Sequence, residues 1–354
     1  MRIPEKFLKI STGLFISAIL ILGCTREVHI SENTRVKDGK YDSEFPQEPT
    51  AEVLQEIMET VKMVSTLAFY SGYEFNLDKK VQTEQLTENF IEENSEGEFH
   101  FNQPATGTAT VIYRNGRQIA LLTCAHIIDF PDTVITYYRT DDGVPTKFVR
   151  TISFKIRQNI SVIDFHMGGN FSILAKDRHD DIALIGKELS FDTPYIIPVF
   201  NFRMGDAEEL TWGDFVYIVG YPRGEKMVTS ALVSQPTRDK KATFLLNAVF
   251  NRGFSGGIVL AIRDGIPNIE LVGMAKSVPA ETKYYLAPDK TYKQLESSLE
   301  EIYHGEPRIE SYENIYYGIT YAITVNKIKE FIQKNSVVLA EEGYKTDQFF
   351  LNKN

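Results

Sequence analysis

The 354-residue sequence contains only two cysteines, Cys24 and Cys124. Two cysteines cannot form a disulfide framework, so a hydrophobic core must hold the fold together. Positive charge is also scarce, because 38 Lys and Arg stand against 48 Asp and Glu and the net charge is −10. A protein that binds the phosphate backbone of nucleic acids would be basic, so this partner class is excluded. The hydrophobic share of 43% excludes a mostly disordered chain.

The N-terminal segment lacks the length of a transmembrane helix. After a basic start, residues 10–23 form an uncharged run of 14 residues, which is typical of the core of a signal peptide. The run ends in Gly23-Cys24 and resembles a bacterial lipobox, in which the cysteine becomes the lipidated first residue. We therefore expect a signal peptide over 1–23 and a lipoprotein of the cell envelope, in the outer membrane if the bacterium has one. A plain secretory signal or a membrane anchor is the alternative.

Polar sequence without clear periodicity separates this segment from the rest of the chain. Residues 24–49 are predicted to be a flexible tether, with an ordered arm as the alternative. Residues 50–64 carry apolar side chains at helical spacing and predict a short helix. The acidic, irregular stretch 72–103 predicts a surface insertion.

Short strands dominate the middle of the sequence. Thr108–Tyr113 and Gln118–Leu122 flank Asn115-Gly116, a pair that tolerates the positive φ angles of a tight hairpin turn. Further strands are predicted at Val64–Tyr70, Thr133–Tyr138, Lys147–Lys155, Asp181–Ile185, Phe215–Val219, Thr243–Phe250, Ile258–Arg263 and Ile269–Ser277. Clear helical stripes appear only late, at 292–302 and 325–332. Many strands with few helices indicate a barrel or a sandwich.

Three short segments carry residues suited to acyl-transfer chemistry. Gly253-Phe254-Ser255-Gly256-Gly257 places a hydroxyl in a flexible glycine turn, and a serine nucleophile needs a base and an oxyanion site. His126 follows a predicted strand, and an imidazole can take and return a proton near neutrality. Asp181 leads an apolar strand, where a carboxylate can fix the tautomer of the imidazole. Each segment alone is weak evidence for this chemistry, but the three together, in the order His126, Asp181, Ser255, are much more specific evidence.

This order resembles that of the chymotrypsin-fold (trypsin-like) serine peptidases, and is most similar to the bacterial branch with the high-temperature-requirement proteases. The resemblance covers about residues 104–335 and includes the loop Val219–Gly224 and the strand Leu271–Ala275. It implies an all-β fold of two six-stranded antiparallel Greek-key barrels with a C-terminal helix and helical insertions. The peptidase domain would span 50–335, with insertions at about 72–103 and 279–314 and a C-terminal tail at 336–354.

The resemblance also implies roles for individual residues. Ser255 would attack the peptide carbonyl, His126 would act as base and then acid, and Asp181 would orient His126. The N–H groups of Gly253 and Ser255 would bind the oxyanion. Val249 would lie in the substrate pocket, and Lys276, Ser277 and Val278 would pair with the substrate. Protein or peptide substrates are expected, with no cofactor and no metal.

Two departures from the family pattern affect these expectations. Phe254 stands where the digestive enzymes carry an Asp that pairs with a new N-terminus, so the loop around Ser255 must be ordered in another way. Val249 stands where trypsin has an acidic pocket residue, which argues against a preference for Arg or Lys.

Several alternatives stay open from the residues alone. Asp180 rather than Asp181 would orient His126 if the motif is shifted by one. The Ser255 segment also satisfies the lipase-type Gly-x-Ser-x-Gly elbow, which requires a helix after the serine. A catalytically silent pseudo-peptidase that only binds is a third reading. The 279–314 insertion, with its predicted helix, either gates the cleft or is a packing decoration.

Overall fold

The computed structural model describes residues 37–350 apart from 141, 164, 166–167, 190–195, 239–241 and 289–304. The first sheet contains β1 (Val61–Glu74), β2 (Gly97–Asn115), β3 (Gln118–Thr123), β4 (Thr133–Arg139), β5 (Pro145–Val162), β6 (Ser172–Asp177) and β7 (Ile182–Glu188). Its antiparallel order is β4-β5-β1-β2-β3-β7-β6. The backbone N–H of Phe171 donates to Ile160 O at 2.8 Å, beside a bridge between Ser161 and Asn170. These contacts bring β5 to the start of β6, so six strands close into a barrel.

The second sheet forms a closed ring. It contains β8 (Arg203–Met204), β9 (Phe215–Gly220), β10 (Met227–Arg238), β11 (Thr243–Leu246), β12 (Ile258–Ile262), β13 (Ile269–Ser277) and, after the hairpin β14 (Ala280–Ala287) and β15 (Arg308–Ile315), β16 (Thr320–Thr324). The antiparallel ring runs β9-β10-β11-β16-β13-β12 and returns to β9, while β8 adds to β13 in parallel. The predicted fold class of two six-stranded antiparallel barrels is therefore confirmed.

Helices are few and short among the described residues. They are α1 (Ala51–Thr60), α2 (Glu88–Asn94), α3 (Ala125–Ile128), α4 (Val325–Lys334) and α5 (Ser336–Glu341). The predicted first helix ends at Thr60 rather than at 64, because side chains from Val61 onward alternate between buried and half-buried positions with the period of a strand. No described helix combines the length and apolar character needed to cross a membrane.

The hairpin prediction is confirmed, whereas the 72–103 segment differs from expectation. Asn115 pairs with Gln118 across a two-residue turn that begins at Gly116, where φ is +56°. Instead of an irregular insertion, β1 and β2 extend as a paired ribbon, from Val61↔Thr110 to Glu74↔Gly97. The residues between them bury a small cluster of their own: Phe75, Val81 and Ile91 packed with Val149 and Ile152. The prediction was wrong because the acidic composition of the segment outweighed these few apolar residues.

Both ends of the described chain pack onto the barrels. Residues 38–42 are not part of a flexible tether, because Asp42 N donates to Ile262 O at 2.8 Å and Tyr41 is only 6% exposed. The C-terminal segment is likewise ordered: Phe349, in the 3-10 turn Thr346–Phe350, stacks on Tyr113 at 4.7 Å. Within the 279–314 insertion, β14 and β15 form a ribbon, and the predicted helix at 292–302 lies outside the described residues.

Candidate active site

His126 and Asp181 form a close pair on the first barrel. His126 lies on the single-turn helix α3, which begins two residues after the end of β3, and its side chain is 48% exposed. Its Nδ1 lies 2.8 Å from Oδ2 and 3.0 Å from Oδ1 of Asp181, and its backbone N–H donates to Oδ1 at 2.9 Å. A carboxylate only accepts, so this pairing places the ring proton on Nδ1. Nε2 is then left as an acceptor, which is the form a general base requires.

The backbone at Asp181 turns its carboxylate toward His126. Asp181 has φ of +63°, an uncommon conformation that Asp tolerates better than most residues. The neighbouring Asp180 points elsewhere, with His179 Nδ1 at 2.8 Å and Lys327 Nζ at 3.1 Å from its oxygens. Burial opposes ionisation of Asp180, but these two partners lower its pKa below the ordinary value. The alternative in which Asp180 orients His126 is therefore wrong.

Ser255 lies in a tight turn between β11 and β12. Gly253 and Gly256 have φ of +105° and +85°, values that glycine adopts without strain. A Cβ built on Gly256 would collide with Thr108 O, so the close approach of the two barrels requires glycine there. β12 follows this turn as a strand, which excludes the lipase-type elbow because that motif continues as a helix.

The Ser255 hydroxyl is hydrogen-bonded to the backbone of β13. It donates to Lys276 O at 2.9 Å, and no hydrogen bond joins it to the His126 ring within the described part of the chain. The two segments nonetheless meet. Gly107 packs between the Ile127 side chain and Ser255 O, and Ala275 O accepts from Gly256 N at 2.8 Å and from Cys124 Sγ at 3.6 Å. The structure thus brings the three predicted residues to one seam between the barrels.

Two of the backbone N–H groups around Ser255 are available to donate a hydrogen bond to a bound molecule. Phe254 N donates to Asn251 O at 3.1 Å and Gly256 N to Ala275 O. For the N–H groups of Gly253 and Ser255, the described residues supply no acceptor. The side chain of Phe254 is buried, with its ring 5.7 Å from that of Phe250. This packing anchors the loop where the digestive enzymes carry an Asp.

Two of the predicted substrate-binding residues, Lys276 and Ser277, lie on one edge of β13, whereas Val278 lies just beyond the end of that strand. β13 pairs with β12 as far as Met274, whereas on its other side it pairs with β16 as far as Ser277. On the β12 side, Lys276 and Ser277 therefore have no strand neighbour among the described residues. This edge adjoins Ser255 and can accept an extended peptide as an added strand. Val249 lies on the loop before Ser255 with 61% of its surface exposed.

Cys124, His126 and Asp181 also place three potential metal ligands within 4.8 Å of one another. Burial raises the pKa of the Cys124 thiol well above its ordinary value, and the charge of Asp181 raises it further. A metal would need the thiolate of Cys124, the form that its burial disfavours. The same shift makes Cys124 a poor nucleophile.

Fold and geometry together give two β-barrels with a Ser, a His and an Asp at the seam between them. Residues 107–274 match the family model of the trypsin-like peptidase domain. No curated protein matches the chain.

Solved structures of bacterial proteases are also similar. The serine endoprotease from Yersinia pestis is 15% identical over 82% of this chain and 68% of that chain, with a TM-score of 0.38. The Rv3671c protease from M. tuberculosis is 13% identical in its active form, over 85% of this chain and 89% of that chain, with a TM-score of 0.39. An inactive form of Rv3671c from M. tuberculosis is 12% identical over 84% of this chain and 97% of that chain, with a TM-score of 0.40.

One residue of the seam had no distinguishing signal in the sequence. In the sequence Thr108 is an ordinary strand residue, yet its side chain and backbone contact two segments, the Ser255 turn and the turn that begins at Tyr221. Its preceding Gly107 is the only local hint that the strand passes close to another segment.

Proposed function

We propose that this protein is a serine endopeptidase that cleaves peptide bonds through Ser255, His126 and Asp181. The observation that carries the proposal is the Asp181 carboxylate, which is buried and pairs with His126 on the segment that packs against the Ser255 turn. A carboxylate, an imidazole and a hydroxyl with these roles form an acyl-transfer site on several unrelated folds. The trypsin-like peptidase domain over 107–274 supports the same chemistry.

The reaction runs in two halves. Nε2 of His126 takes the Ser255 proton while Oγ attacks the substrate carbonyl, and the negative oxygen accepts hydrogen bonds from the N–H groups of Gly253 and Ser255. His126 then returns the proton to the leaving nitrogen as the C–N bond breaks and an ester remains on Ser255. Water, activated by His126, attacks this ester, releases the carboxylic acid and restores the hydroxyl.

Substrate binding would switch Ser255 into its reactive position. In the free protein the Ser255 hydroxyl donates a hydrogen bond to Lys276 O. A peptide strand that adds to the free edge at Lys276 and Ser277 needs this same carbonyl for its own N–H. The displaced hydroxyl then rotates about one side-chain bond toward Nε2 of His126. Binding and activation of the nucleophile are thereby coupled.

A catalytically silent binding protein is the second candidate. The bond from Ser255 to Lys276 O, in place of one to His126, is the observation that favours it. In that case peptides would bind along β13 without being cleaved, and Ser255 would keep its present position.

Labelling with a fluorophosphonate probe separates the two candidates. The wild-type protein should form a covalent adduct at Ser255 and cleave an unfolded protein such as casein. Ser255→Ala should abolish both, because the nucleophile is gone, whereas the exposed Ser234→Ala on β10 should leave both unchanged. Absence of labelling and cleavage in folded wild-type protein would contradict the peptidase and support the binding protein.

We also propose that the protein is exported and held on the cell envelope by a lipid on Cys24. The uncharged run over 10–23 and the small residue before Cys24 support this proposal.

A further inference from the structure

Thr108 connects the first barrel to the Ser255 turn through two hydrogen bonds and to Tyr221 through a third. Its hydroxyl donates to Gly253 O at 2.7 Å and accepts from Tyr221 N at 2.9 Å. Its backbone N–H donates to Ser255 O at 2.8 Å. The residue is fully buried, so water cannot replace these partners. One residue of β2 thus holds the carbonyl groups on both sides of Phe254 and Ser255.

The same hydroxyl acts on the oxyanion amide from a second direction. Tyr221, which it holds by its N–H, begins the turn Tyr221–Gly224. Two residues later in that turn, the backbone N–H of Arg223 donates to Arg252 O at 2.8 Å. In a trans peptide the C=O and the N–H point in opposite directions. Fixing Arg252 O therefore fixes the direction of Gly253 N–H, one of the two proposed oxyanion donors.

The Ser255 turn needs such an external support. Gly253 and Gly256 give it two flexible backbone positions. Phe254, between Gly253 and Ser255, is apolar, so its side chain can pack but cannot hold a backbone group by an ion pair or a hydrogen bond. Polar contacts that orient the peptide planes must then come from other segments, and Thr108 supplies them from the opposite barrel.

We propose that the Thr108 hydroxyl is a positioning residue that orients the Gly253 amide for oxyanion binding. It does not touch the substrate but joins the turn at Tyr221 to the carbonyl of Gly253. It thereby holds the Gly253–Phe254 peptide plane directly and the Arg252–Gly253 plane through the turn whose Arg223 N donates to Arg252 O. This inference rests on the proposed peptidase function and adds a residue on which the rate of that reaction depends.

Substitutions that separate the hydroxyl from the rest of the side chain test the inference. Thr108→Val keeps the shape and removes the hydroxyl. Loss of a direct oxyanion donor costs about 100- to 1000-fold in rate, so loss of its support should lower kcat by about 10- to 100-fold. KM should change by less than about threefold, because ground-state binding uses β13. Thr108→Ser keeps the hydroxyl and should stay within about threefold of wild type.

A matched control lies two residues further along the same strand. Thr110 is also fully buried, but its hydroxyl has no partner among the described residues. Thr110→Val should therefore leave kcat and the melting temperature close to wild type. If Thr108→Val does not fold, the pair Thr108→Ala and Thr108→Ser compares variants that both lack the methyl group and differ in the hydroxyl.

Amide hydrogen exchange gives a readout that does not depend on turnover. Removing the hydroxyl leaves Tyr221 N–H without its acceptor, so this amide should exchange at least about tenfold faster in Thr108→Val and as in wild type in Thr108→Ser. An active wild type with an equally active Thr108→Val variant would overturn this inference alone. A folded wild type without turnover would overturn the peptidase proposal and the catalytic role of Thr108 with it.

Discussion

Asp180 and Asp181 are chain neighbours whose side chains serve different partners. The positive φ of Asp181 turns the backbone between them, so that one carboxylate faces His126 and the other faces His179 and Lys327. Asp181 is buried beside the imidazole, where a carboxylate can stabilise the cation that forms during proton transfer. Asp180 instead anchors the start of β7 to α4.

This difference gives a matched pair of substitutions. Asp181→Asn should lower kcat by about 10⁴, because an amide can donate to Nδ1 and would place the proton on Nε2, where it blocks the base. Asp180→Asn should keep kcat within about threefold, although it loses its ion pair with Lys327. Steady-state cleavage of one peptide by both variants checks this prediction. Equal losses would mean that the proposed role of Asp181 is wrong.

At the residue scale, the signal for the candidate site was the order of three motifs along the chain. His126, Asp181 and Ser255 were found from motif types and their order, because each requires a recognisable neighbourhood of glycines or apolar strand residues. The bond from Ser255 to Lys276 O was not predictable, since a serine rotamer depends on which carbonyl lies nearby. Thr108 was missed because its partners lie more than a hundred residues away.

At the scale of elements, the segment over residues 38–45, here called the N-terminal arm, is held by one buried polar cluster. The Tyr41 hydroxyl donates to Glu270 Oε2 at 2.8 Å, and Arg263 stacks on the Tyr41 ring at 4.1 Å. Arg263 also donates to the same Glu270 oxygen at 3.2 Å. Burial raises the pKa of Tyr41 above its ordinary value, and Glu270 adds to this, so the phenol keeps the proton it donates. The arm thus covers a carboxylate on β13.

Substitutions in the arm measure how much it stabilises the second barrel. Tyr41→Ala should lower the free energy of unfolding by about 3–5 kcal/mol, because it opens a cavity and leaves buried Glu270 with fewer donors. Phe45→Ala is the control, since Phe45 is 68% exposed and should cost less than about 1 kcal/mol. Urea denaturation of both variants checks the difference. A flexible tether would predict no effect from either substitution.

Elements with a strong local pattern were predictable, and those fixed by distant contacts were not. The Asn115-Gly116 hairpin has its own turn residues and alternation, so its prediction was confirmed. The extended ribbon of β1 and β2 was missed because polar residues such as Glu98 and His100 occupy its exposed positions. The ordered arm was missed because the residues that contact the Tyr41 hydroxyl, Asp206 and Glu270, are 165 and 229 positions away in the sequence.

At the scale of the whole molecule, each barrel supplies one half of the site. His126 and Asp181 come from the first barrel and Ser255 from the second. Cys124 Sγ and the Thr108 hydroxyl, both on the first barrel, donate to Ala275 O and Gly253 O on the second. Neither barrel alone contains a nucleophile and its base, so the chemistry depends on how closely the two pack. The two-barrel arrangement itself was predictable because the motif order implied the family's fold.

The arm also limits how far the peptidase can lie from a lipid on Cys24. About 14 residues separate Cys24 from the first docked residues, which allows a reach of at most about 50 Å. If Cys24 is lipidated, labelled palmitate should be incorporated into wild type and lost in Cys24→Ser. Cys124→Ser is the control and should stay labelled, because Cys124 is buried beside the active site. An unlabelled wild type with a free N-terminus after residue 23 would contradict the anchor and leave a secreted peptidase.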